Sequence, residues 1–409
     1  MDWRRTRAAR LLVGFAFFYL LTIVYCRSTT FRDPTSAFFD ARRAHVTRYS
    51  ALRLREAEAY MADLELGGKI EKIEASPGEQ QHHPLLCLGI ATVARRGHHQ
   101  YVRSTVGSLF AGLTEDERKM IFFNFFIAQA DPSTHPVYGE KWLDTLPDRL
   151  LEYPHGGGSD RDQIRVWEEG GWYRNKSIYD YKYLLRDCYE TTDAAYVAIV
   201  EDDTLAVGDW FRRLLDALQV VQDRMDKQLP GQSWIYLRLF YTESLLGWNS
   251  EDWPTYLFWS FVVWSSISSA MLVVNRRPSW KVEFLTTGVM GVVSLVCVPA
   301  LIVLFFLAGK QSTMPIAPGV QMMNKYGCCS QGFVYPRAVV PLVTDQVRLE
   351  TKGLVDMQIE KVANQNRYMR WAIVPPLLQH IGATSSKGYG FDDNARQIWN
   401  FRYESYSDE

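Results

Sequence analysis

What this sequence lacks narrows it before any motif is read. It has no charge excess: 45 Lys and Arg against 46 Asp and Glu leave a formal net charge of −1. Binding along a phosphate backbone needs a clear basic surplus, so nucleic acid is excluded as the main partner. Its six cysteines include no CxxC spacing, and a zinc site is therefore not expected at the adjacent pair Cys328-Cys329. No internal repeat or low-complexity tract is present. The loop His155-Gly-Gly-Gly158-Ser159 lacks the Lys-Ser/Thr pair of a phosphate-cradling loop and reads as a plain loop. A mean hydropathy of −0.17 is too low for a multi-spanning transporter. Most of the 409 residues belong in water.

Against that background three apolar runs stand out: Leu11–Cys26, Tyr256–Val274 and Phe284–Ala308. A membrane helix needs about 20 predominantly apolar residues. No small-residue cleavage site follows the first run, whose core is Phe15-Ala-Phe-Phe-Tyr19, so an uncleaved anchor is expected in place of a signal peptide. Arg4, Arg5, Arg7 and Arg10 precede it and put the N-terminus in the cytosol. Arg276, Arg277 and Lys281 put the link Asn275–Glu283 there too. The segments on either side of the hairpin then fall together in the lumen. Trp248, Trp253 and Trp259 sit where an interfacial aromatic belt is expected. The sequon Asn175-Lys176-Ser177 fits a lumenal domain. Cys26 and Cys297 fall in the spans, which leaves Cys87, Cys188, Cys328 and Cys329 for up to two disulfides whose pairing the sequence does not fix.

The chain divides accordingly into a cytosolic tail and transmembrane anchor (1–26), a helical stem and linker (27–84), the first part of a catalytic domain (85–255), a transmembrane hairpin (256–308) and the second part of that domain (309–409). Pro34–Leu66 has helical spacing, with Thr35 or Ser36 as a cap, and Gly67-Gly68 ends it. Leu85–Val93 reads as a buried strand. Gln100–Leu113 reads as a helix with Val102, Val106, Leu109 and Phe110 on one side, and Ile121–Ala128 as a second strand. That is a βαβ unit and predicts a mostly parallel sheet flanked by helices. Tyr179–Tyr189 reads as a helix, Ala195–Val200 as a strand, Trp210–Leu218 as a helix and Trp234–Phe240 as a fourth strand. Beyond the hairpin, Gly332–Val343 has mixed strand character, Leu354–Ala363 reads as a helix, and Ile373–Ile381 closes the fold.

The strand Ala195–Val200 runs straight into Glu201-Asp202-Asp203. The carboxyl edge of an open α/β sheet is where ligands bind. Clustered carboxylates there repel one another unless a cation neutralises them. Hard oxygen ligands suit Mg2+ or Mn2+, with a phosphate ligand completing the shell. A divalent ion holding a diphosphate stabilises the charge that develops as a sugar nucleotide departs.

Tyr196-Val-Ala-Ile-Val-Glu-Asp-Asp203 resembles the metal-binding motif of GT-A glycosyltransferases. Gly89-Ile-Ala-Thr-Val-Ala-Arg-Arg96 is similar to the nucleotide-binding opening of that Rossmann-like fold. Pro375-Pro-Leu-Leu-Gln-His-Ile-Gly-Ala-Thr-Ser-Ser-Lys387 is similar to the closing segment of the branch that contains the N-glycan branching GlcNAc-transferases. Membrane helices inside the catalytic domain, with Trp234-Ile-Tyr-Leu-Arg-Leu-Phe-Tyr-Thr-Glu243 before and Gly327-Cys-Cys-Ser330 after, resemble the Golgi GPI N-acetylgalactosaminyltransferases. The resemblance covers most of Leu85–Lys387; the stem and the tail after Gly388 lie outside it.

The resemblance implies an α/β GT-A domain interrupted by a transmembrane hairpin and preceded by a transmembrane anchor. It implies a multi-pass Golgi membrane enzyme, and transfer of GalNAc from UDP-GalNAc to the mannose core of GPI anchors with inversion. Mn2+ or Mg2+ would be held by Glu201, Asp203 and His380, with Glu-Asp-Asp standing where the family motif has Asp-x-Asp. Asp202, Thr92, Arg95 and Arg96 are expected on the nucleotide, where Arg offers paired donors to phosphate oxygens; Asp180 and Lys182 are further candidates there. A general base must reach the acceptor hydroxyl opposite the leaving UDP. Asp356 is the expected base, with Glu360 and Asp345 as alternatives, and Glu243 is placed at the acceptor sugar. Two other readings fit the same residues: a GlcNAc-transferase-like enzyme acting on N-glycans or glycolipids, and a catalytically inactive membrane scaffold.

Overall fold

The computed structural model describes residues 7–67, 83–95, 100–154, 159–276, 284–325, 327–382 and 398–406. The chain forms two compact units: Met1–Val46 with Glu243–Ile316, and Thr47–Thr242 with Ala317–Glu409.

The second unit is the α/β body. Its eight-stranded sheet has the order β3-β2-β1-β4-β8-β6-β9-β7, with β1 Leu86–Thr92, β2 Ile121–Ile127, β3 Arg149–Leu151, β4 Tyr196–Glu201, β6 Trp234–Arg238, β7 Gly319–Met322, β8 Gly332–Pro336 and β9 Met369–Val374. Pairings β1–β2, β1–β4, β2–β3 and β6–β9 are parallel, whereas β8 is antiparallel to both its neighbours and β7 to β9. The reversed pair aside, the strands run one way. The mostly parallel α/β sheet expected from the βαβ reading is therefore present. A small second sheet pairs β5, Thr204–Ala206, antiparallel with β10, Leu378–His380.

Both faces of the large sheet are covered, which is why its strands read as unbroken apolar runs and not as alternating ones. Leu88, Ile90, Ala198 and Val200 project into one core with α1 (Tyr49–Glu65), α2 (Val102–Phe110) and α4 (Trp210–Gln228). Cys87, Val197 and Ile199 project into the other with α3 (Tyr173–Thr191) and α5 (Val355–Asn366). A buried disulfide joins Cys87 of β1 to Cys188 of α3.

The segment assigned to a stem in the sequence divides between the two units. Its helix α1 packs in the α/β body: a Cβ on Gly107 of α2 would lie 2.5 Å from the Ala57 carbonyl oxygen, so only glycine permits this approach. Buried Arg53 of α1 donates to Ala206 O at 2.9 Å and Ser108 O at 2.8 Å. The C-terminal residues 398–406 belong to the same body, with Asn400 and Tyr403 fully buried.

Among the described residues three helices are long and apolar enough to cross a membrane, and the other unit carries them. Arg7–Thr29 has 23 residues, Trp253–Arg276 has 24 and Thr287–Leu307 has 21. At about 1.5 Å per residue each reaches the roughly 30 Å of a hydrocarbon core. The third contains a π-helical turn, Val293–Cys297, just before Pro299. Such a turn absorbs the missing proline N–H and frees carbonyls for other donors. Here Trp264 Nε1 donates to Ser294 O at 2.7 Å and Ser268 Oγ to Ser294 Oγ at 2.9 Å, tying the hairpin together. Tyr19 of the first helix donates to Ala300 O at 3.1 Å. Trp253 and Trp259 are exposed, while Trp248 packs against Tyr256, Phe305 and Phe306.

Candidate active site

The site is built where strand ends converge. Because β8 runs against β4, with Val200 opposite Gly332, the residues just before β8 arrive beside Glu201. Glu201 N donates to Gln331 O at 3.0 Å, and Ser330 Oγ donates to the Glu201 carboxylate. The β5–β10 pairing puts His380 opposite Thr204, and Ile381 N donates to Asp203 O at 2.9 Å. His380 Nε2 thereby sits 3.5 Å from Asp203 Oδ2. A cavity of about 430 Å3 opens here, lined among others by Glu201, Asp202, Asp203, His380, Asp356 and Arg95.

The electrostatics sort the three acids. Burial, then the charge of Asp203, raises the Glu201 carboxyl above its ordinary range. Burial would also raise Asp203, but His380 and Arg95 outweigh it and hold that carboxyl low. His380 is held protonated more firmly than usual: burial opposes the charged ring, and the facing Asp203 carboxylate outweighs it. Asp202 is occupied differently. Arg95 grips it through bonds of 2.8 and 2.6 Å, and Thr92 Oγ1 donates to it at 2.6 Å. Behind Thr92 stands buried His135, whose Nε2 meets Thr92 Oγ1 at 3.2 Å and whose Nδ1 accepts from Val137 N at 3.2 Å.

Among the described residues no three His, Cys, Asp or Glu side chains converge closely enough to hold a metal unaided. The residues nevertheless fit a divalent ion that takes its remaining ligands from a diphosphate. Asp203 Oδ1 is buried with no hydrogen-bond partner, and the adjacent Glu201 carboxyl is disfavoured as an anion until a cation joins it.

Elsewhere the expected residues scatter. Asp356 lies in the first turn of α5 and lines the cavity. The loop before it is pinned by Arg174, which donates to Leu349 O and Gly353 O at 3.0 Å and to Thr351 O. Glu360, one turn on, is locked between Arg238 at 2.7 Å and Arg370 at 2.6 Å. Asp345 is exposed on another helix. Asp180 lines the cavity but is held by Lys176 at 2.7 Å and by Tyr153; burial outweighs that lysine and raises its carboxyl. Lys182 is not among the lining residues, and its charged neighbours are Arg186, Asp345 and Glu350. Glu243 is buried and falls in the unit that carries the long apolar helices, not in the α/β body. Arg96 lies outside the described residues.

Sequence reasoning missed Ser177, Tyr181 and Gln331, all at the cavity wall. Ser177 follows from Asp180, three residues on, and Tyr181 from Ser177, four residues on, since residues three or four apart share a helix face; Gln331 carries no such signal.

With this geometry in hand, comparison with known families is decisive. The family described as GPI-N-acetylgalactosamine transferase PGAP4 matches residues 86–379. The chain belongs to this family. No curated protein matches it significantly. A GPI-N-acetylgalactosamine transferase is a glycosyltransferase, and the match runs from β1 into β10, spanning the acidic triplet, the two apolar helices Trp253–Arg276 and Thr287–Leu307, and Asp356.

Proposed function

We propose that this protein transfers GalNAc from UDP-GalNAc to the mannose core of a GPI anchor, with inversion, on the lumenal side of the Golgi membrane. The observation that supports the reading is the family match over residues 86–379, which takes in Glu201, Asp203 and Asp356 of the cavity and ends one residue before His380.

The geometry supports the following division of labour. Glu201, Asp203 and His380 would hold Mn2+ or Mg2+, which when bound neutralises the charge developing on the departing diphosphate. Asp356 takes the proton from the mannose hydroxyl as its oxygen attacks the anomeric carbon from the face opposite UDP. One displacement with one base inverts that carbon. Arg95 and Thr92 keep Asp202 neutralised, so the middle acid does not compete for the cation. Ser330 orients the Glu201 carboxylate, and Arg174 fixes the loop that leads into Asp356. Lumenal placement is supported by the arginines before the first span and the basic link of the hairpin; the Cys87–Cys188 disulfide agrees with an oxidising compartment.

The test is donor competition on purified full-length protein with Mn2+ present. GalNAc incorporation into a GPI glycan from UDP-GalNAc is expected. Activity with UDP-GlcNAc on a soluble N-glycan, and none on GPI, would overturn the reading.

A further inference from the structure

The segment of cavity wall that runs up to Glu201 contains a disulfide between sequence neighbours. Cys328 and Cys329 are bonded to each other, and both line the cavity. Cys329 has φ 141°, a backbone conformation that side-chain-bearing residues rarely adopt. The small ring therefore holds the chain where two free cysteines would not keep it.

The ring is also founded on an unusual amount of buried charge. Arg238, fully buried, donates to Cys328 O and, at 2.9 Å, to Cys329 O. Its charge is balanced by Glu360, itself shared with Arg370. A Cβ on Gly327 would lie 2.7 Å from Arg238 Nη2, so this residue must be glycine for the ring to seat. Ser330, next in the chain, bonds Glu201 and fixes the segment beside the triplet.

Two properties of this wall identify what it receives. The disulfide adds to the apolar part of a cavity lining that includes Val93, Leu184 and Val355 beside the charged Glu201, Asp203 and His380, and ions do not benefit from such a surface. Gln331, next to Ser330, lines the same cavity at 5% exposure, and its carboxamide oxygen has no hydrogen-bond partner. Buried acceptors are normally satisfied, so an N–H or O–H donor is missing from this place. A ligand group that carries a donor and a methyl on one small plane is an acetamido group. A sugar joined to a diphosphate at the triplet would bring its ring to this wall.

We propose that Gln331 and the Cys328–Cys329 disulfide form the seat for the acetamido group of the transferred sugar. Gln331 accepts from the amide N–H, and the methyl packs on the disulfide. The inference rests on the reading of the protein as a GalNAc transferase and deepens it: the pair distinguishes N-acetylhexosamine from plain hexose.

The test compares binding of UDP-GalNAc, UDP-galactose and UDP to full-length protein with Mn2+, followed by kinetics. Wild type is expected to favour UDP-GalNAc over UDP-galactose. In Gln331→Leu, and in the double change Cys328→Ala with Cys329→Ala, that preference should fall by about tenfold or more through KM, while UDP alone binds unchanged. Retained UDP binding certifies the fold of each variant; should the double variant fail to fold, Gln331→Leu decides. An undiminished preference in Gln331→Leu overturns the proposal, as does a wild type without preference. Failure of the transferase reading looks different: wild type would prefer UDP-GalNAc yet deliver sugar to no GPI acceptor.

Discussion

Arg95 and Asp202 face each other through two hydrogen bonds, of 2.8 and 2.6 Å, with both side chains buried. Asp202 lies between two acids assigned to metal and is nonetheless spoken for by the protein itself. Burial works against the Arg95 charge, and Asp202 and Asp203 more than restore it. Asp202→Ala should therefore leave buried Arg95 with Asp203 alone, at 3.2 Å, and cost up to about 3–5 kcal/mol of stability. Asp203→Asn should keep the fold and lose transfer. Thermal unfolding and GalNAc transfer measured on both variants separate the two roles; equal losses of stability would contradict them.

Asp356 should behave as a base and not as a structural acid. Asp356→Asn is expected to lower kcat about 100- to 10,000-fold, with a much smaller change in UDP affinity. Steady-state kinetics with a UDP titration check this. Retention of most of the turnover would move the base elsewhere.

His135 makes the body sensitive to acid. Burial, and to a lesser degree Arg95, lower its pKa to about 4 against the pull of Asp202. Its Nδ1 already accepts from Val137 N, so a second proton has no place there. The unfolded chain takes up that proton near 6.5, and the folded chain does so only near 4. Stability from this residue is therefore full above about 6.5 and is lost as pH falls toward 4, by up to about 1.4 kcal/mol per unit. Unfolding temperatures at pH 7.5 and 5.5 should diverge more for wild type than for His135→Asn. Identical slopes would show that His135 does not set this dependence.

The Cys87–Cys188 bond closes a loop of sequence separation 101 between β1 and α3. Replacing both cysteines by alanine should lower stability by about 2–4 kcal/mol, read as a shifted denaturant midpoint. An unchanged midpoint would show that the packing of α3 on the sheet suffices without the link.

How far the sequence disclosed this molecule depends on how local each signal is. Ile121–Ile127 and Tyr196–Glu201 are continuous apolar runs, and the sheet that buries both their faces needed nothing else to be foreseen. The acidic triplet was legible because it ends such a run. The helices long and apolar enough to cross a membrane were legible from length and composition alone. Strands β5 and β7, three and four residues long, were not; their register is fixed by distant partners. Nor was the reversal of β8, which brings Ser330 and Gln331 to the site. Helix α1 read as a stem because nothing local says that Arg53 will find Ala206 O and Ser108 O. Glu360 read as an alternative base and instead forms a buried pair with Arg238, since charge pairing across a fold leaves no pattern in the chain.

The central claim is that Glu201, Asp203 and His380 serve metal-dependent transfer of GalNAc to a GPI glycan. Its most direct measurement is incorporation of label from UDP-GalNAc into a purified GPI-anchored acceptor by wild-type protein and by Asp203→Asn, each with and without Mn2+. The account predicts incorporation by wild type with Mn2+ alone. Equal incorporation by Asp203→Asn, or by metal-free wild type, would contradict it.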